Sequence, residues 1–262
     1  MRRGRHLVPP VSALVCLAGL VVTGVVALLV PVAEQGDTSA LNGFVELDRS
    51  SSGELTARLA NLANPLPYAF WGALLVAVAL ARGRRALAAA IPVVLIGSEL
   101  MTQALKQLLA HPRGADSFSS REIAAASWPS GHATAAMAVA LCAIAVAPPR
   151  ARSAVALGGA AFALAVGYAI VARASHFPSD VLGGYFVAGL WTSLALVAVR
   201  AQPEARAQRL GALALCGVAA VAAAVVVAAT EHLALALMAL AIAGLALALA
   251  ATVSSVAAPR DR

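Results

Sequence analysis

Pro129-Ser130-Gly131-His132 opens one apolar stretch of this chain, and His176-Phe177-Pro178-Ser179-Asp180 opens another. Lys106, the single lysine, lies upstream, with Arg113 seven residues after it. Helix N-termini and fixed cations bind phosphate. A histidine braced by a carboxylate serves as nucleophile or as acid and base. If the two stretches are helices that start at one membrane surface, the pattern is that of phosphate and histidine chemistry.

Each piece also has a plainer reading. Ser130 fits an N-cap, and Gly131 lets an anion approach the free amides of the first turn, with His132 beside it; an ordinary cap with a solvent-facing histidine fits as well. Asp180 suits a helix start by charge alone. The four-residue spacing also lets it accept a hydrogen bond from one ring nitrogen of His176, leaving the other as a lone-pair nucleophile. Pro178 interrupts regular helix there, so a turn must deliver that contact. Lys106 and Arg113 read as interfacial anchors or as phosphate clamps. Glu99, seven residues before Lys106, falls on about the same helical face and deeper in the apolar stretch. It reads as a support for Lys106 or Arg173, or as a protonated core residue.

The elements that position these residues follow from composition. Of 262 residues 61% are hydrophobic and 12% charged, a balance foreign to soluble domains. The chain reads as all-α, a polytopic transmembrane bundle with spans near 11–33, 66–81, 86–107, 132–148, 153–172, 180–199, 210–229 and 232–252. The long first apolar run, with no clear cleavage site after it, favours an uncleaved first helix over a signal peptide. With the N-terminus cytoplasmic, 13 of the 19 basic residues fall on cytoplasmic segments and most acids on the opposite side, as the positive-inside rule requires. Lys106, His132, His176 and Asp180 then share the extracytoplasmic face, in the cell membrane of a bacterium to judge by the Ala- and Arg-rich composition. Nucleic acid is excluded as a partner, because the arginines sit in short clusters between apolar runs. In the outer segment 34–65, Ser51-x-x-Glu54 reads as a capping box, and Leu55, Leu59 and Leu62 line one face of a short surface helix. Packing over the bundle and a lid or lipid-entry role are its two readings.

Together these residues resemble the type 2 phosphatidic acid phosphatase superfamily of integral membrane lipid phosphatases. Lys106-Gln-Leu-Leu-Ala-His-Pro-Arg113 keeps the spacing of the first motif, though Gly114 stands where the family has proline. Pro-Ser-Gly-His is complete at 129–132. His176 and Asp180 keep the third motif's spacing, whereas its arginine is displaced: Ile170 stands six before the histidine and Arg173 three before. The resemblance covers roughly residues 86–200. It implies a six-helix phosphatase core over 1–200, with two further transmembrane helices and a short cytoplasmic tail in 201–262.

It also implies a metal-independent phosphohydrolase that needs no cofactor and acts on a lipid phosphate or isoprenyl pyrophosphate. The implied roles are attack by His176, orientation by Asp180 and proton transfer by His132. Lys106, Arg113, Arg173 and the amides near Ser130 and Gly131 would hold the phosphoryl oxygens. Three other readings compete within enzymes: a serine hydrolase of Ser130, His132 and Asp180, which lacks the usual nucleophile elbow; a zinc site of His111, His132, His176 and Asp180; and phosphotransfer to an alcohol. A non-catalytic lipid-phosphate binder or transporter is the reading from a different class.

Overall fold

The computed structural model describes residues 8–49, 53–112, 123–200, 202–203 and 233–257. Among them nine helices run in order: α1 (Val8–Leu29), α2 (Pro31–Arg49), α3 (Gly53–Asn61), α4 (Pro65–Ala81), α5 (Arg85–Leu108), α6 (Gly131–Val146), α7 (Pro149–Ala172), α8 (Pro178–Ala198) and α9 (Leu233–Ser254). A two-residue antiparallel bridge, β1 (Gln202–Pro203) with β2 (Val256–Ala257), pins the segment after α8 to the end of α9. The chain is an all-α bundle of membrane-spanning helices. Five of the described helices (α1 from Pro10, α5, α7, α8 and α9) are long and apolar enough to cross a bilayer, and the bent pair α3 and α4 makes a sixth if taken as one span.

The expected span at 210–229 lies outside the described residues, as do Arg113, the capping-box residue Ser51 and most of the loop after His111. The first span ends earlier than the hydropathy suggests. It stops at Leu29, and α2 begins at Pro31. Proline has no N–H and disfavours helix at the residue before it, so the chain breaks at Val30. The outer segment is also more ordered than its polarity predicts. α2 occupies half of it and packs against α1, α7, α8 and α9, burying Asp37, Ala40, Leu41 and Phe44. The short helix expected near residues 51–62 is present as α3, and Arg58 pairs with Glu54 along it. Its leucines pack inward only in part: Leu55 is 61% exposed, Leu59 is half-buried, Leu62 just past the helix end is 38% exposed, and Thr56 is the buried side chain.

α6 is the hub. It is buried at nearly every position and packs against α4, α5, α7, α8 and α9. Its 16 residues make it about 24 Å long. Both its ends are fixed. Ser130 caps the N-terminus, its hydroxyl accepting from the Ala133 amide at 3.3 Å. At the other end Arg84 donates to the Ala145 carbonyl at 2.8 Å, and Arg152 to the Ala147 carbonyl at 3.4 Å. Both arginines are buried, so these two members of the basic clusters between spans act as C-terminal caps of α6.

Candidate functional site

The site lies where α6 and α8 begin. α7 ends at Arg173, and Ala174 reverses the chain with φ +52°. The turn returns through His176 to Pro178, the first residue of α8. This turn delivers the contact that regular helix could not: His176 Nδ1 donates to Asp180 Oδ2 at 3.1 Å. The same Oδ2 accepts from the Phe177 amide at 3.1 Å, which holds the carboxylate in place. Asp180 is fully buried and His176 is 9% exposed. With Nδ1–H donated to the carboxylate, Nε2 carries the lone pair.

The two helix starts are joined directly. The Ser130 amide donates to the Asp180 carbonyl at 2.9 Å. That bond differs from the sequence expectation, in which the Ser130 amide faces a ligand. The amides of Ala133 and Thr134 are also bonded, to Ser130 Oγ and the Ser130 carbonyl. Among the described residues, Gly131 and His132 are the positions of this turn whose amides remain unpaired. The close approach requires glycine at 184. A Cβ there would lie 2.7 Å from the Ser130 carbonyl oxygen and 2.9 Å from the Thr134 amide nitrogen.

The charged residues surround this junction. Lys106, near the end of α5, lies within electrostatic reach of Asp180 and Glu99. Lys106 and His176 both act on the His132 ring. Glu99 accepts from Gln103 at 2.6 Å and faces Gly131, where a Cβ would sit 3.6 Å from its Oε1. Arg173 donates to the Gly53 carbonyl at 3.2 Å, tying the end of α7 to the start of α3. Among the described residues no three His, Cys, Asp or Glu side chains converge as metal ligands, so His111, His132, His176 and Asp180 do not form the zinc cluster weighed from sequence.

Two polar residues beside the site were not singled out from the sequence. Asp37 of α2, 2% exposed, accepts from the Ser179 amide at 3.0 Å and from the Ser179 hydroxyl at 2.5 Å, capping α8 one residue from Asp180. Asn64, at the bend between α3 and α4, meets His132 Nε2 through its Oδ1 at 2.9 Å. Nothing local marks Asp37 beyond its charge, whereas Asn64-Pro65 has the form of a helix start. An apolar groove of about 370 Å3 also opens next to the site, between α1 and α5. Leu17, Val21, Val25, Leu105, Leu109 and Trp128 line it. Trp128 is two residues from Ser130, and Leu105 adjoins Lys106.

Comparison with known proteins bears on the family and the fold. The model of the PAP2 superfamily matches residues 86–204. Curated protein sequences give no match. The fold is similar to the crystal structure of a transmembrane PAP2 type phosphatidylglycerolphosphate phosphatase from Bacillus subtilis. The TM-score is 0.58 at 18% identity, covering 71% of this chain and 94% of that one. The matched segment runs from the start of α5 past the end of α8 and contains Lys106, both histidines and Asp180, and over that segment the chain is similar to the PAP2 superfamily.

Proposed function

We propose that this protein is a membrane phosphatase that hydrolyses a lipid phosphate or isoprenyl pyrophosphate at the extracytoplasmic face through a phosphohistidine. The observation that carries the reading is the buried His176–Asp180 pair, bonded through the main chain to the helix start that bears His132. The His176 Nε2 lone pair attacks phosphorus as the bond from phosphorus to the lipid oxygen breaks. The leaving oxygen keeps that electron pair and takes a proton from His132. Water then attacks the phosphohistidine and gives a proton to His132, and the N–P electron pair returns to Nε2. Asp180 stabilises the positive charge on His176 during transfer. Lys106, Arg113, Arg173 and the Gly131 and His132 amides hold the phosphoryl oxygens.

The groove between α1 and α5 supports a lipid substrate. Leu17 to Leu29 of α1 line it, a rise of about 18 Å, close to one leaflet's share of a ~30 Å hydrocarbon core. The charge bias of the loops supports the extracytoplasmic assignment.

The test is phosphate release by protein purified in detergent with EDTA, from phosphatidic acid, phosphatidylglycerol phosphate and an isoprenyl pyrophosphate. Activity is expected on at least one, and it disappears in His176→Ala and His132→Ala. No release from any substrate, or wild-type rates in His176→Ala, overturns the reading.

A further inference from the structure

We propose that Asn64 is a positioning residue that holds His132 with its proton on Nε2, so that Nδ1 is the atom that gives and takes protons. The inference rests on the phosphatase reading for His132. It begins from an N-cap that does not cap. Asn64 occupies the N-cap of α4 with extended backbone, yet its side chain makes no hydrogen bond to its own helix. An Asn in that position ordinarily caps its helix by accepting from N2 or N3. Pro67 stands at N3 and offers no N–H, which leaves one of the two usual donors missing. The amide turns instead toward the site, and its Oδ1 lies 2.9 Å from His132 Nε2.

The second hydrogen bond orients the amide. Asn64 Nδ2 donates to Asn61 Oδ1 at 3.1 Å, so the donor end faces Asn61 and the acceptor end faces the ring. A carbonyl oxygen accepts and cannot donate, so Nε2 must carry hydrogen whether the ring is neutral or charged. The Asn64 carbonyl dipole also favours the imidazolium that protonates the leaving oxygen. The charged and titratable groups that act on this ring are His176 from the turn before α8 and Lys106 from α5, with Glu99 facing the neighbouring Gly131. Asn61 and Asn64 flank the 50° bend between α3 and α4, so the bend serves to bring this amide over α6.

Two measurements test this. The first is kcat and KM against pH for wild type, Asn64→Ala, Asn64→Asp and Asn61→Ala. Asn64→Ala should lower kcat about 10- to 100-fold with KM within about twofold, and move the His132 limb to lower pH. Asn64→Asp keeps an acceptor and adds charge, so it should restore most of kcat and move that limb to higher pH. Asn61→Ala should shift kcat in the direction of Asn64→Ala by a smaller factor. The second is nitrogen NMR of histidine-labelled protein in detergent, with His132 resonances identified by His132→Gln. The Nε2–H form is expected in wild type and a tautomer mixture in Asn64→Ala. An unchanged pH limb in both Asn64 variants, a loss in Asn64→Asp equal to that in Asn64→Ala, or a wild-type ring bare at Nε2 overturns the proposal. A wild type inactive on every lipid phosphate but holding the Nε2–H form would sink the phosphatase reading and leave the tautomer assignment standing.

Discussion

Replacing Gly184 by alanine tests whether the junction of α6 and α8 sets the site. The added Cβ would stand 2.7 Å from the Ser130 carbonyl oxygen, 2.9 Å from the Thr134 amide nitrogen and 3.0 Å from Ala133 Cβ. All three belong to the capped first turn of α6, and two are backbone atoms that cannot swing aside. Ordinary contact begins near 3.5 Å, so the helices must part by about 0.8 Å. Parting along the line of the Ser130–Asp180 bond would stretch it from 2.9 Å to about 3.7 Å, beyond hydrogen-bonding range. Overpacking of this kind costs about 1–3 kcal/mol. A displacement near 1 Å between reacting groups costs about 100-fold in rate. Gly184→Ala is therefore expected to lower kcat/KM for phosphate release about 30- to 100-fold and to lower the melting temperature in detergent. Gly244→Ala on α9, where a Cβ meets nothing within 4 Å, is the control. It should raise stability by about 0.5–1 kcal/mol and leave turnover unchanged. Wild-type kcat/KM in Gly184→Ala would refute the view that this contact sets the distance between the two histidines.

Three further outcomes are expected. Asp37→Ala removes both acceptors of Ser179 and should cost about 1–3 kcal/mol of stability together with kcat, whereas Asp37→Asn keeps one acceptor and should lose less; melting temperature and turnover measured on both variants check this. Arg84→Leu strips a charge-assisted bond from the end of α6, so the melting temperature should fall by the equivalent of about 1.5–3 kcal/mol while KM stays constant. Ala174→Gly relieves a left-handed residue and should raise stability by about 1 kcal/mol at unchanged activity, as thermal melts will show.

The parts of the fold legible in the sequence are those written in local spacing. A four-residue interval predicted the His176–Asp180 contact, and a Ser-Gly pair before an apolar run predicted the cap of α6. Hydropathy located α4, α5, α7, α8 and α9 to within a few residues. α2 was hidden because its mean polarity resembles a loop, and its helicity serves contacts with three distant helices as well as its neighbour α1. Asp37 reaches Ser179 across 142 positions and Asn64 reaches His132 across 68, and no spacing rule announces such pairs. Gly184 was invisible for a related reason. A glycine in an apolar helix has many explanations, and only the neighbouring backbone shows that this one leaves room for Ser130. Arg84 and Arg152 fitted the positive-inside pattern so well that their burial against α6 had no separate signal.

The bond from the Ser130 amide to the Asp180 carbonyl has an evolutionary consequence. It is made of main-chain atoms, which every residue except proline supplies at position 130 and every residue supplies at position 180. Away from the tight contact at Gly184, side chains around it can drift without removing it, so selection need preserve few neighbours to keep the two helix starts in register. Substitutions elsewhere around the site can accumulate on a junction that does not record them. A lineage can then diverge widely in sequence while the two helix starts keep their mutual geometry, and proline at 130 or a side chain at 184 is the kind of single-residue change that ends that tolerance.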